Sequence, residues 1–364
     1  MLERSEHGAP RVAFECIEIV ESLYRGILGR VADQSGLNAY TNALRNGRQL
    51  SEVITSMLSS DEYKARHKTN FDIPITLPDL TGIYPEKYVR YDSNSTIFEA
   101  SRDEDFRLME SLIVENRYYD SLGVWNPKID LDKRVTAAIV EGLGARSCLE
   151  LGCYSGPVLS VLANKGIDVS GIEVSHLAFV LAYPNVHRKI LFGNFLDVDI
   201  ARKYDVFLGM DILEHLSPLD LDRYVERIGS IIQNKGFAYI NSPMFGEDEI
   251  FGTVFQRYLP QWQSAPELSY WRHFHCDSKG WPMHGHLVWA SPKWWEQLFL
   301  KHGLVRDKTV ESCIHGCLNS FFTTQAPARR SLFVLRHSDF APDHDAVCRH
   351  LQETIEQVVG AAAS

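Results

Sequence analysis

The stretch Cys148–Leu162, CLELGCYSGPVLSVL, decides how this chain is read. A short apolar run leads into a glycine turn and then into apolar residues at helical spacing, the pattern of a buried strand, a tight turn and a helix. Such a turn lets the main chain approach a ligand. A dinucleotide would need G-x-G-x-x-G, but counting from Gly152 the second and third glycine positions hold Tyr154 and Pro157. A pyrophosphate would be crowded there.

Working outward, strands and helices alternate. The pattern predicts strands at 147–151, 168–172, 189–192, 204–210 and 236–241, with helices at 156–165, 176–183 and 219–232. This order implies an α/β fold with a parallel sheet and right-handed crossovers, with ligands bound at the carboxyl ends of the strands. Glu150, Gly152 and Gly156 form E-x-G-x-x-x-G there, and Glu173 ends the second strand. A carboxylate in that position takes ribose hydroxyls in charge-assisted hydrogen bonds, and Glu150 suits a cationic aminoacyl group. A nucleoside joined to an amino acid is S-adenosylmethionine.

Composition bounds the rest. The 364 residues are 45% hydrophobic and 23% charged, with a net charge of −10, which disfavours a nucleic-acid partner. No apolar run is long enough to span a bilayer. The amino-terminal residues lack a signal-peptide pattern, and the seven cysteines form no C-x-x-C pair, so a cytoplasmic setting is expected.

Residues 130–245 strongly resemble class I S-adenosylmethionine-dependent methyltransferases, through LELGCYSG, GIEVS, LFGNFLDVDI, YDVFLGMDILEHL and IIQNKGFAYINSP in the family's order. The resemblance implies a Rossmann-like seven-stranded sheet whose antiparallel last strand is supplied by residues 331–337. It also implies that Glu150, Gly152 and Gly156 line the methionine part, with Tyr154 either narrowing or covering that channel, and Glu173 the ribose. Asn194 and the Phe195 backbone would meet the adenine, and Met210 and Asp211 would lie under the sulfonium. The commoner central glycine of the family is Tyr154 here. Upstream, LYRGILGRVADQSGLNAY at Leu23–Tyr40 and the residues to Tyr63 resemble a small bacterial helical domain of unknown function.

These readings divide the chain into a helical adaptor at 1–68, able to dock a protein partner, and a linker with amino-terminal helices at 69–130. A methyltransferase core follows at 131–340, carrying an aromatic acceptor lid at 243–290, and a carboxyl-terminal helix closes the chain at 341–364. Tryptophans and the histidines His273, His275, His284 and His286 crowd that lid. An aromatic wall with hydrogen-bonding groups suits a sugar, so the expected reaction is O-methylation of a sugar or surface-glycan hydroxyl. The alternatives are a phenolic or quinone-like acceptor, or an inactive binding module.

A hydroxyl is a poor nucleophile and calls for a base, for which His215 is the first candidate, with His273 and His275 as acceptor contacts. His286 is expected to brace the helix after it. The spacing of Asp211, Glu214 and His215 resembles the E-x-x-E-H stretch through which some quinone-biosynthesis O-methyltransferases hold a divalent metal. A local capping box, with Asp211 as cap and Glu214 three residues on, uses the same carboxylates and is preferred, so no metal is expected. A zinc site from His273, His275, Cys276 and His284 fits no standard spacing.

Overall fold

The computed structural model describes residues 9–28, 30–48, 50–58, 60–63, 76–121, 128–175 and 181–363. They fall into two compact units that separate between Thr76 and Leu77. In the first, helices α1 (Ala9–Leu28), α2 (Gln34–Arg45) and α3 (Leu50–Leu58) bury Val20, Tyr24, Leu28, Val53 and Met57. Asp33 caps α2 by accepting from the Gly36 N–H at 2.8 Å, and Arg30 pairs with Glu62 at 2.6 Å.

In the second unit, short helical turns at Leu80–Ile83 and Pro85–Lys87 precede strands β1 (Tyr88–Arg90) and β2 (Ser95–Glu99), and then come helices α4 (Asp103–Glu115) and α5 (Leu131–Gly142). The sheet begins at β3 (Ser147–Leu151), followed by α6 (Pro157–Asn164), β4 (Asp168–Glu173), β5 (Ile190–Phe192), β6 (Tyr204–Met210), α7 (Leu221–Ile231) and β7 (Ile232–Asn241). After β8 (His273–Asp277) come α8 (Pro292–Lys301), β9 (Leu304–Arg306), α9 (Lys308–Thr324), β10 (Leu332–His337) and α10 (His344–Ala363). No described helix is long and apolar enough to cross a membrane.

Seven strands form one sheet in the order β5-β4-β3-β6-β7-β10-β9, with β10 antiparallel to both neighbours. This is the Rossmann-like methyltransferase sheet expected from the sequence, antiparallel last strand included. The order runs outward in both directions from the β3–β6 pair, which makes that pair the switch point where a crevice opens. Helices α5, α6, α9 and α10 cover one face of the sheet, and α7 and α8 the other. The register sets Glu150 beside Gly171 on one side and Leu208 on the other. The carboxyl ends of β3, β4 and β6 therefore lie along one edge.

Three expectations change. Residues 77–100, part of the expected linker, contain β1 and β2, which pair in a second antiparallel sheet of order β1-β2-β8. Strand β7 starts four positions before the expected 236, with Ile232 buried and Gln233, Asn234 and Lys235 exposed, and β9 and α9 have no counterpart in the sequence pattern. The helix expected at 176–183 lies outside the described residues at 176–180, and residues 181–183 are not helical.

Candidate active site

After β3 the chain turns through Gly152 (φ 68°), Tyr154 (φ 49°) and Gly156 (φ 71°), all in the left-handed region. A Cβ at Gly152 would come within 2.8 Å of Ile212, and one at Gly156 within 2.9 Å of Val186, so only glycine fits these close approaches. Tyr154 is held in this conformation by its N–H, which donates to Glu173 at 2.8 Å. The N–H groups of Val174 and Ser175 donate to the same carboxylate at 2.8 Å each. With three of about four acceptor positions taken, Glu173 retains one for a hydroxyl, where the sequence reading gave it two. Burial raises its pKa, and the three N–H donors offset part of that rise.

Glu150 is in the opposite condition. It is 5% exposed and its Oε2 has no hydrogen-bond partner. Burial, and then the Glu173 carboxylate, push its pKa well above the usual range. Asn194 accepts from the Leu196 N–H at 2.9 Å and from the Tyr224 hydroxyl at 3.1 Å, while the Phe195 ring is buried in a stack with Tyr224.

The turn after β6 has a different construction. Met210 ends the strand and Asp211 (φ 48°) follows, its N–H bonded to the Asn241 carbonyl at 2.9 Å. Its carboxylate is paired with Arg329, which also reaches Asn241 at 2.7 Å and Asp132 at 3.0 Å. The capping box is therefore not formed: residues 213–215 make one 3-10 turn without a side-chain cap, because Arg329 has taken Asp211. For the same reason Asp211 is not grouped with Glu214 and His215 as a set of metal ligands.

Glu214 is 1% exposed. Its Oε2 accepts from the Ser242 hydroxyl at 3.0 Å, its main-chain oxygen accepts from Leu287 and Val288, and its Oε1 has no partner. His215 places Nδ1 3.3 Å from the Gly285 carbonyl and packs edge to face with the Tyr119 and His286 rings. Burial lowers its pKa to about 4, so the imidazole is neutral at pH 7. His215, Tyr119 and Leu287 form one side of a cleft of about 230 Å³, which Asn194, Leu196 and Tyr224 also line.

A methyltransferase-domain family model matches residues 128–307, the segment that contains both turns. Residues 128–307 are a methyltransferase domain. The chain is thus an S-adenosylmethionine-dependent methyltransferase, and its residues 16–67 match a domain of unknown function (DUF4214). No curated protein matches significantly. Among solved structures, the 1,6-didemethyltoxoflavin-N1-methyltransferase of Burkholderia thailandensis is 13% identical, covering 70% of this chain and 100% of its own, with a TM-score of 0.42. The amino pentose methyltransferase CalS10 of Micromonospora echinaspora is 14% identical over 62% of this chain and 97% of its own, at a TM-score of 0.38. An O-methyltransferase from a trans-AT polyketide synthase of Brevibacillus brevis is 12% identical over 80% and 93%, also at 0.38.

The residues of this methyltransferase fit its cofactor. The partnerless oxygen of Glu150 is a buried site for a cationic group, and the Gly152 turn gives the main chain the close approach that a bulky ligand needs. Glu150, Gly152 and Glu173 would hold the aminoacyl and ribose parts, and the cofactor supplies an electrophilic methyl group on sulfur.

In the methyltransferase lid the aromatic residues are arranged differently from the expectation. Trp271, Trp281 and Trp289 are buried, as is Trp295 on the following helix α8, where Trp294 is half-buried. Trp262 stacks on Trp271 and Trp289, forming the core of the lid itself, so the indoles are not a free wall for a sugar. His273 and His275 share one face of β8, Cys276 is buried on the other, and the zinc set does not converge. His275 bonds to the Tyr258 hydroxyl at 2.8 Å, and neither histidine lines the cleft. Arg329 carried no signal in the sequence, since its three partners lie on distant segments.

Proposed function

We propose that this methyltransferase transfers the methyl group of S-adenosylmethionine to a hydroxyl of a single sugar ring, either free or at the end of a surface glycan. The observation that carries this reading is the cleft between Asn194 and His215. Its volume suits one ring, and its lining mixes the carboxylates Glu110 and Asp197 with Leu196, Leu287 and Tyr119. Such a mixture complements a saccharide, which has apolar faces and hydroxyl edges. His215 is the side chain through which the site acts on the hydroxyl. His215→Ala is expected to lower turnover at least tenfold, within the range of general acid–base contributions, while S-adenosylhomocysteine affinity persists. The deciding experiment incubates the full chain with S-adenosylmethionine and a panel of nucleotide sugars, glycan termini and phenols, and locates the added methyl group by mass spectrometry. Methylation of a phenol, or of nitrogen, overturns the acceptor assignment.

Residues 1–68 are proposed to be a separable adaptor that docks a partner, a reading supported by the core they form on their own. Their deletion is expected to leave cofactor affinity unchanged and to weaken engagement of a large acceptor. The seven cysteines are all free, which supports a reducing, cytoplasmic setting.

A further inference from the structure

Glu214, His215 and His286 are the one group of three metal-ligating side chains that converges among the described residues, with one donor atom from each lying within 4.8 Å of the others. Two of these side chains are more than nine-tenths buried and have an unpartnered atom: Oε1 of Glu214 and Nδ1 of His286. A shared proton would satisfy both if they were bonded to each other, but no hydrogen bond joins them. The remaining atoms are already oriented. The Ser242 hydroxyl holds the other Glu214 oxygen, and the Gly285 carbonyl facing His215 Nδ1 selects the tautomer that leaves the Nε2 lone pair free. Carbonyl and hydroxyl partners of this kind orient metal ligands from behind.

We propose that Glu214, His215 and His286 bind a divalent transition metal of the zinc or iron class behind the wall of the cleft, which of the three only His215 lines. Two imidazoles and one carboxylate form a donor set that suits such ions and leaves a position open to a ligand oxygen. It differs from the oxygen-rich Asp211, Glu214 and His215 set considered from sequence, which suits magnesium. Bonds of about 2.0–2.2 Å would draw the donor atoms together by roughly 1 Å. The inference deepens the reading of His215 above, since a metal there would lower the pKa of a hydroxyl bound to it.

The test is direct binding, independent of turnover. Full-length protein stripped with EDTA and titrated with cobalt(II) is expected to take up one equivalent, with visible absorption bands that added zinc abolishes. Glu214→Gln and His286→Gln should each weaken cobalt binding by more than the roughly 10- to 100-fold expected for loss of an orienting group, which Ser242→Ala should show. His350→Ala, on the exposed face of α10, should change nothing. Absence of stoichiometric uptake by the wild type overturns the proposal, as does uptake unchanged in both ligand variants. If either ligand variant fails to fold by circular dichroism, His215→Gln and Ser242→Ala take its place. A negative metal result leaves the acceptor reading standing, because His215→Ala turnover tests that reading separately.

Discussion

The turns after β3 and β6 are alike in outline and opposite in construction. Each places a non-glycine residue in the left-handed region, Tyr154 or Asp211, and each has a buried glutamate with one unpartnered oxygen, Glu150 or Glu214. The β3 turn is held by main-chain N–H groups converging on Glu173 from adjacent segments. The β6 turn is held by side chains from far along the chain: Arg329 on Asp211, Ser242 on Glu214, and the 285–288 segment on Glu214 and His215. Left-handed conformations of such residues cost about 1–3 kcal/mol and persist only where surrounding contacts fix them. The same strain is thus maintained locally in one turn and by distant segments in the other.

The difference can be broken most severely at Arg329. Arg329→Met leaves Asp132 and Asp211 without their cation, and a loss of about 3 kcal/mol is expected, at the low end for a buried pair because Asp211 is about one-third exposed. Denaturant unfolding measures it; an unchanged midpoint would mean that Arg329 does not hold the turn. Next in size is Glu173→Ala. Loss of hydrogen bonds to a charged group is expected to cost about 1.5–3 kcal/mol, or roughly 10- to 100-fold in S-adenosylhomocysteine affinity by calorimetry. Equal affinity would remove Glu173 from the ribose.

A smaller effect separates the two unpartnered glutamates by pH. Burial holds Glu150 above the usual carboxylate range in the free protein, and a cationic aminoacyl group favours its charged form, so cofactor binding at a pH below the raised pKa expels a proton. The protonated form competes as pH falls, and affinity should drop by up to about tenfold per pH unit below the raised pKa, levelling off toward the ordinary glutamate value. Calorimetry in buffers of different ionisation enthalpy counts that proton, and Glu150→Gln should abolish it. A wild-type protein that releases none contradicts the aminoacyl assignment. Smallest is Asn194→Ala, which removes an acceptor used by Leu196 and Tyr224 and should cost about 1 kcal/mol of stability. A larger loss in cofactor affinity than in stability would place Asn194 directly on the adenine.

How much could be read from sequence follows the same division. Strand β3, its turn and the Glu173 partner lie within about thirty residues, where periodicity and glycine placement act. The network around Glu214 joins β6, β7 and the lid, and no local pattern connects Asp211 to Arg329 or Glu214 to His286. Strands β1 and β2 were hidden for a related reason: their segment is polar and proline-bearing, and only the pairing of β1 with β2 and of β2 with the distant β8 makes them strands. The lid tryptophans were visible but misassigned, because composition does not distinguish an aromatic surface from an aromatic interior. Here a three-stranded sheet and α4 need a core of their own, and Trp262, Trp271, Trp281 and Trp289 supply it.

The pairing of Ser95 with Asp277 also sets a timetable for biosynthesis. At about 5–20 residues per second, roughly ten to forty seconds pass between the synthesis of β2 and that of its partner β8. Throughout that interval β2 is a strand without a neighbour on the β8 side, and such open edges invite pairing with other chains. A nascent chain stalled before residue 273 would retain the segments of β3 to β7 while leaving that edge uncovered, so truncated products of this protein are expected to aggregate through residues 95–99.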